Sequence, residues 1–349
     1  MTAPMAKMGS EMDFDAIPEL IGLEDDMKRA LHILNNSRVG IYFTGYSGTG
    51  KTVFAQNLAM RYVEGLRRHG RPDAKGYYVQ GTFETTKTSL IAGHRLIQGS
   101  MVPVKALVAQ ALEEGSIVFV DEFGHLMQEV MLTFNSLLDR WSVTSIGDIA
   151  IVGHEDFRII FAGNPTTHAG NTPLPQSFAS RLYAWPFDYP SFSQEDRIVR
   201  SIVEATYKKK DKVPNAVRRY VVGLYKEHRT PLYPLVARNM ATAVVALNAE
   251  VRLAKGGYNF SIEDEAVVRN ICKLSRVPDS KLGETAKEFS AFLSLVGPQA
   301  FKRIIEGAAL VSLDVEAGQD IGARDRLKAA ILTNTAIKVK PEADADVDV

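Results

Sequence analysis

The sequence predicts an α/β fold followed by an all-helical region, and three observations carry that expectation. Five short β-prone segments, residues 39–44, 76–80, 116–121, 157–162 and 183–187, alternate with helical patterns in the first half of the chain. The runs Ile117-Val118-Phe119-Val120 and Ile159-Ile160-Phe161-Ala162 are continuously apolar, as in strands buried on both faces of a sheet. Beyond the turn-rich stretch Asp188-Tyr189-Pro190-Ser191-Phe192-Ser193 the pattern becomes almost wholly helical. A chain of 349 residues can bury such a core and usually divides into more than one domain.

Residues 1–13 read as a flexible arm. Ile17-Pro18-Glu19-Leu20-Ile21-Gly22-Leu23 then precedes a helix with apolar positions at Met27, Ala30, Leu31 and Leu34, a 3/4 spacing. The strand Val39-Gly40-Ile41-Tyr42-Phe43-Thr44 leads into Gly45-Tyr46-Ser47-Gly48-Thr49-Gly50-Lys51-Thr52, and Val53 to Ala59 continues as a helix. Strand, glycine-rich loop and helix in that order form a phosphate-binding loop. Its glycines let successive backbone N–H groups point at one anion, and the helix N-terminus adds partial positive charge. Gly45, Ser47, Gly48, Thr49 and Gly50 would cradle the nucleotide phosphates. Lys51 would reach the β- and γ-phosphates, and the Thr52 hydroxyl would hold Mg²⁺. A segment just upstream of such a strand can fold over the base, with Ile21 and Leu23 as its apolar contacts.

Gly76 to Gln80 is the second strand, and Thr85-Thr86-Lys87-Thr88-Ser89 offers a helix cap. Leu90 to His94 and Gly99 to Pro103 flank a short loop, and residues 104–114 read as a helix ended by Gly115. The buried strand ending in Asp121-Glu122 places a carboxylate pair where ligands bind in open α/β sheets. Asp121 would bind Mg²⁺ through water, and Glu122 would orient and deprotonate the attacking water. After a helix over Glu129 to Leu138, Trp141 to Thr144 and Asp148 to Val152 read as a hairpin. The next strand ends at Gly163-Asn164-Pro165, which sets Asn164 beside the carboxylates. Leu174 to Leu182 is a proline-opened short helix, and Pro186 makes the last strand an edge.

Helices follow over Gln194 to Tyr207, Ala216 to Tyr225, Leu235 to Ala254, and Ser261 to Leu274, the last capped by Ser261 with Asp264. Lys208-Lys209-Lys210 reads as a solvated helix end. Further helical segments follow Pro278, and the acidic end from Ala343 to Val349 is expected to be disordered.

Hydrophobic residues make up 46% of the chain and charged residues 23%, which is globular. The 41 basic and 41 acidic residues cancel, so no global field draws in nucleic acid or an anionic membrane. No apolar run approaches the roughly 18 to 20 residues of a membrane span. Met1 to Ser10 lacks the hydrophobic segment of a secretory signal. Cys272, the one cysteine, rules out an intramolecular disulfide and reads as a small buried residue. A cytoplasmic protein is expected.

With the P-loop, the Asp-Glu strand end, the Asn at a third strand tip and an Arg before the last strand in order, the chain resembles an AAA+ ATPase. More narrowly it is similar to the MoxR-type group of the helix-2-insert clade. The strand ending Asn164-Pro165, Gly170, and Leu174-Pro175-Gln176-Ser177-Phe178-Ala179-Ser180-Arg181-Leu182 carry that likeness. Ser177 stands where Ala is usual. His154-Glu155-Asp156-Phe157-Arg158 is similar to the gas-vesicle (GvpN) and Rubisco-activating (CbbQ) members. The likeness covers about Ile17 to Leu274.

The resemblance implies an αβα sandwich with a parallel five-stranded sheet, a small α-helical lid domain and a C-terminal helical extension. Its domains would be an arm over 1–13, a nucleotide-binding domain over 14–190, a lid over 191–277, an extension over 278–335 and an acidic tail over 336–349. It makes Lys51 and Thr52 the Walker A pair, Asp121 and Glu122 the Walker B pair, and Asn164 sensor 1. Arg181 becomes the arginine finger that reaches a neighbouring subunit. Sensor 2 falls on Arg238, in Val236-Ala237-Arg238 where members often have Ser-Pro-Arg, with Arg229 and Arg252 as alternatives. ATP and Mg²⁺ are the implied cofactors, and a homo-oligomeric ring, a hexamer by resemblance, the implied assembly.

The leading function is an ATP-driven remodeller of a protein client. One alternative is an assembly factor switched by ATP binding. Another is a nucleic-acid motor, against which neutral charge and the lack of a DNA-binding motif both count.

Overall fold

The computed structural model describes residues 9–97, 99–139, 143–146, 149–165, 171–206, 213–230, 234–254, 262, 265–310, 326–327 and 329–330. The chain divides into two units, Met1–Tyr189 and Pro190–Val349, and the break falls in the turn-rich stretch.

The first unit runs β1 (Gly9–Glu11), α1 (Glu24–Asn36), β2 (Gly40–Thr44), α2 (Lys51–Arg68), β3 (Gly76–Gln80), α3 (Lys87–Leu90), β4 (Ala92–Ile97) and β5 (Ser100–Lys105). It continues with α4 (Leu107–Glu114), β6 (Ile117–Asp121), α5 (Gln128–Asp139), β7 (Val143–Ile146), β8 (Ile149–Val152), β9 (Arg158–Gly163), α6 (Gln176–Ala179) and β10 (Leu182–Pro186). The main sheet has the order β1-β3-β6-β9-β2-β10. The strands from β3 to β10 are mutually parallel.

Successive side chains of a strand point to opposite faces, so apolar runs feed two layers at once. Ile41, Phe43, Ile117, Phe119, Ile160 and Ala162 pack with α1 and α2 residues such as Leu34, Phe54 and Leu58. Tyr42, Val118, Val120, Ile159 and Phe161 pack with Val108, Leu112, Met131 and Phe134 of α4 and α5. These two cores make an αβα sandwich. Pro186 ends β10, which is an edge strand as its proline predicts.

The sheet has six strands rather than five. β1 pairs antiparallel with β3, and Met12 N donates to Gly76 O at 2.8 Å, so the loose arm expected over 1–13 does not hold from Gly9 onward. A Cβ on Gly9 would lie 2.8 Å from Tyr78 O, so glycine lets the strand approach this closely. Residues 1–8 of that arm lie outside the described residues. Leu90 to His94 and Gly99 to Pro103 do flank a short connection, and beyond what was expected they lead into and form an antiparallel hairpin, β4 with β5. The helix expected over 104–114 accordingly starts at Leu107. Thr86 caps α3 in a reciprocal pair with Ser89. The expected hairpin before β9 is present as β7 with β8.

His154 to Arg158 works at the end of the sheet opposite the P-loop. Arg71 Nη1 donates to Asp156 Oδ2 at 2.6 Å and Nη2 to Glu114 O at 2.7 Å, while buried Arg158 Nε donates to Leu34 O at 2.6 Å. This segment therefore ties the ends of α1, α4 and β9 together.

The second unit comprises α7 (Phe192–Thr206), α8 (Asn215–His228), α9 (Ala237–Leu253), α10 (Glu265–Ser275), α11 (Leu282–Val296) and α12 (Pro298–Leu310). Val199, Val217, Tyr220, Met240, Val244, Ile271, Phe289 and Phe301 share one core. Tyr225 Oη donates to Ile305 O at 2.6 Å, joining α8 to α12. Residues 282–310 thus belong to the body of this unit. Cys272 is buried in it. The cap Ser261 with Asp264, Lys208 to Lys210, and the tail over 336–349 lie outside the described residues. Among the described residues, no helix is long and apolar enough to cross a membrane.

α8 and α10 meet at Gly223, where a Cβ would fall 2.0 Å from Leu274 O. Backbone cannot retreat as a side-chain tip can, so Gly223→Ala is expected to destabilise the second unit by about 3 kcal/mol, the upper end of the overpacking range. Denaturant unfolding would register this as a lower midpoint at similar slope. An unchanged midpoint would refute the close packing.

Candidate functional site

β9 lies between β2 and β6, so the loops leaving these strands open side by side at the carboxyl ends of the sheet. The first carries the P-loop. Gly48 and Gly50 have φ of 77° and 97°, in the region that favours glycine. A Cβ on Gly45 would stand 2.4 Å from Phe187 O, so the loop passes under the chain leaving β10 only without a side chain there. Ser47 and Gly48 are exposed at the crest, whereas Thr49 is buried and its hydroxyl donates to Tyr46 O at 2.9 Å. α2 begins at Lys51 with no side-chain cap, leaving its first N–H groups for an anion.

Lys51 is buried, and its Nζ donates to Gly45 O at 2.6 Å, Tyr46 O at 2.8 Å and Asn164 Oδ1 at 3.1 Å. Burial pulls its pKa down to about 8 against the opposing pull of Glu122 and Asp121, so the side chain is still cationic at pH 7. Asn164, one residue past β9, therefore reaches the P-loop lysine.

Thr52 Oγ1 donates to Asp121 Oδ2 at 2.9 Å, and Tyr78 Oη donates to the same oxygen at 3.4 Å. Burial raises the pKa of Asp121, partly offset by the Thr52 hydroxyl and the Glu122 N–H. A buried carboxylate beside a hydroxyl is an oxygen-only donor set, which fits Mg²⁺.

Glu122 has φ 49° and is, with Arg276, one of the non-glycine residues of positive φ among the described residues. That conformation costs about 1 kcal/mol or more for a residue of this kind. It opens a short 3₁₀ turn over Phe123–His125, closed by His125 N donating to Glu122 O at 2.9 Å. Gly81 gives it room, since a Cβ there would be 2.6 Å from Glu122 O. The Glu122 carboxylate is half-buried and makes no hydrogen bond among the described residues.

Lys51, Thr52, Asp121, Glu122 and Asn164 are thus brought together. Ile21 stands apart, half-buried on a segment fastened to α2 by Asn57 Nδ2 donating to Pro18 O at 2.9 Å. Its neighbours Leu20 and Leu23 pack into the core, whereas Ile21 does not. Arg181 is also apart. Its Nε and Nη2 donate to Asp139 at 2.6 and 2.7 Å, and its Nη1 to Ser177 O. The side chain keeps 31% exposure and is not sealed inside the unit.

Arg238 belongs to the second unit, exposed in the first turn of α9. Of its alternatives, Arg229 is buried in an ion pair with Glu195, and Arg252 sits in the last turn of the same helix. Tyr78, Asn171 and Asp139 were not singled out from sequence. Each acquires its place through tertiary contact alone.

Residues 40–182 match the AAA domain of the dynein-related subfamily. The chain has an α/β fold with a P-loop, a mostly parallel central sheet followed by a helical region. Similar solved structures include a candidate ATPase from Cytophaga hutchinsonii, 15% identical with a TM-score of 0.38 over 91% of this chain and 91% of that one. Another is a mutant of RuvB from Thermotoga maritima, 15% identical with a TM-score of 0.44 over 91% of this chain and 90% of that one. No curated protein matches the sequence.

Proposed function

We propose that this AAA domain binds and hydrolyses ATP with Mg²⁺, that copies of the chain assemble into a ring, a hexamer by resemblance, and that the ring remodels or assembles a protein client in the MoxR manner. The observation that carries the catalytic part is the meeting of three strand ends: Lys51 with Asn164 at 3.1 Å and Thr52 with Asp121 at 2.9 Å, with Glu122 next in the chain. Ser47 to Gly50 would cradle the phosphates, and Ile21, half-buried but outside the core, would be the apolar contact for the base. Lys51 neutralises the β- and γ-phosphates. Thr52 and Asp121 hold Mg²⁺, which when bound supplies further positive charge to the phosphate oxygens. Glu122 takes the proton of the attacking water, and Asn164 hydrogen-bonds that water or the γ-phosphate. Arg238 acts as the lid's sensor.

The ring reading draws support from Arg181. It must leave Asp139 to reach a neighbour, and both partners are solvent-accessible, so water screens the pair and the exchange is facile. Neutral net charge favours a protein client over nucleic acid. An address in the cytoplasm accompanies this reading.

Glu122→Gln tests the whole scheme. ATP binding should persist while turnover falls by about 10²- to 10⁴-fold, the usual contribution of a general base. Full turnover would remove Glu122 from the mechanism. Used as bait with ATP, the same variant should retain a protein client that ADP releases. Stimulation of the parent ATPase by DNA rather than by protein would overturn the client class. Intact cellular function with Glu122→Gln would favour a switch driven by ATP binding alone.

A further inference from the structure

We propose that Asn171 is a positioning residue that sets the Asn164 tip and the Glu122 turn relative to one another. This rests on the ATPase reading above. The register between β6 and β9 ends at Val120 with Phe161, so Glu122 and Asn164 both lie beyond the last ladder pairing of their strands. Something other than the sheet must fix their separation.

Asn171 occupies that place. Its Nδ2 donates to Asn164 O at 3.3 Å and to Pro165 O at 3.1 Å, which satisfies both N–H groups of the amide on the sensor loop. On its other side the amide lies over Gly124, in the middle of the 3₁₀ turn that Glu122 opens. A Cβ on Gly124 would come within 3.0 Å of Asn171 Cγ and Oδ1. Thr172 N, the next donor along the chain, donates to Gly124 O at 2.7 Å. One residue and its neighbour therefore bridge both loops. Glu122 is held in an unfavourable left-handed conformation, and the bridge braces the turn that follows it.

Base and sensor must agree on the position of one water molecule, and a misplacement of about 1 Å can cost 10²-fold in rate. Asn171→Ala should therefore lower kcat by roughly 10- to 100-fold. It should leave ATP affinity unchanged, because Lys51 and the P-loop are untouched, and lower the melting temperature by no more than a few degrees, because the two carbonyls it releases are half-buried and open to water. Asn171→Asp keeps the shape but turns an acceptor toward two carbonyls, and should show the same split. Gly124→Ala leaves Asn171 in the sequence but displaces its amide, so it should reproduce the phenotype from the opposite side. In a Glu122→Gln background Asn171→Ala should add little, since its effect passes largely through Glu122.

The measurements are isothermal titration for affinity, steady-state turnover, and thermal unfolding. Lowered kcat with unmoved affinity and a melting temperature within a few degrees of the parent supports the assignment. Normal kcat in Asn171→Ala and Asn171→Asp overturns it, as does a joint fall of kcat, affinity and melting temperature, which would make Asn171 a structural loop closure. Should Gly124→Ala not fold, Asn171→Asp decides alone. Glu122→Gln separates the two levels: if it hydrolyses normally, the ATPase reading has failed, whereas if it is inactive and Asn171→Asp is normal, the bridge alone has failed.

Discussion

Arg181→Ala is expected to bind ATP as tightly as the parent and to hydrolyse it more slowly by roughly 10³- to 10⁵-fold, the contribution measured for arginine fingers. Binding survives because Arg181 does not serve its own site. It precedes β10, whose Leu182 is level with Gly40 at the start of β2, whereas the P-loop follows Thr44 at the far end. The two are separated by about 16 Å of strand at roughly 3.3 Å per residue, farther than an arginine side chain reaches. The guanidinium that loses catalysis when removed must then act on another copy. A mixing experiment makes this specific. Lys51→Ala and Arg181→Ala should each be inactive, but together they should recover partial turnover, because a Lys51→Ala subunit still offers Arg181 to the intact P-loop of its neighbour. Failure of mixtures to recover any activity, with ring assembly verified by light scattering, would count against action in trans. Arg181→Lys should not rescue, since a lysine lacks the planar fork that meets phosphate oxygens.

Much of this site was legible because its chemistry is written in contiguous residues. Gly45 to Thr52 announces itself by composition and by the strand and helix on either side, and Asp121-Glu122 by ending an apolar run that only a buried strand explains. That Asn164 would stand at a strand tip beside the carboxylates also followed, because a third buried strand had to end at the same edge, whereas its bond with Lys51 emerged only in the fold. Elsewhere the local pattern was mute. β4 and β5 are exposed over much of their length, with Leu96 at 67% and Met101 at 64%, so no buried face imposed an alternation on the sequence. The sequence marked the short loop between them but not the strands themselves. β1 is three residues of mixed character held by a neighbour's backbone, which no window of that size reveals. Asn171, Tyr78 and Asp139 took their roles from hydrogen-bond partners 6 to 43 residues away. Their residue types are ordinary at such positions. The second unit misled in another way: Phe289 and Phe301 lie beyond the reach of the family likeness, yet their rings pack 6.3 Å apart in the core that also holds Tyr220.

Lys51→Ala should abolish measurable ATP binding while leaving the nucleotide-free fold nearly as stable as before. The two halves have different causes. A charged donor to phosphate contributes about 1.5 to 3 kcal/mol for each hydrogen bond, and the buried Lys51 would meet two phosphates in the proposed complex. Affinity should therefore fall by at least about 10²-fold, beyond the range of a fluorescent-nucleotide titration. Stability has opposing terms. The folded pKa of about 8 lies below the ordinary 10.5, so the protonated side chain costs stability at every pH below about 8, and the cost fades as pH rises toward 10.5. That difference corresponds to about 3 kcal/mol, which the alanine variant no longer carries. Against it stand the lost bonds to Gly45 O, Tyr46 O and Asn164 Oδ1, at about 1 to 3 kcal/mol for each acceptor left dry. Water entering the vacated side-chain volume recovers part of that, because Tyr46 and Asn164 are only half-buried. The sum lies within about 2 kcal/mol of zero. Thermal unfolding without nucleotide should accordingly shift little, whereas the stabilisation that ATP and Mg²⁺ give the parent should vanish in the variant. Retained ATP-dependent stabilisation would mean that the P-loop lysine does not contact the triphosphate, and the assignment of this site would fall with it.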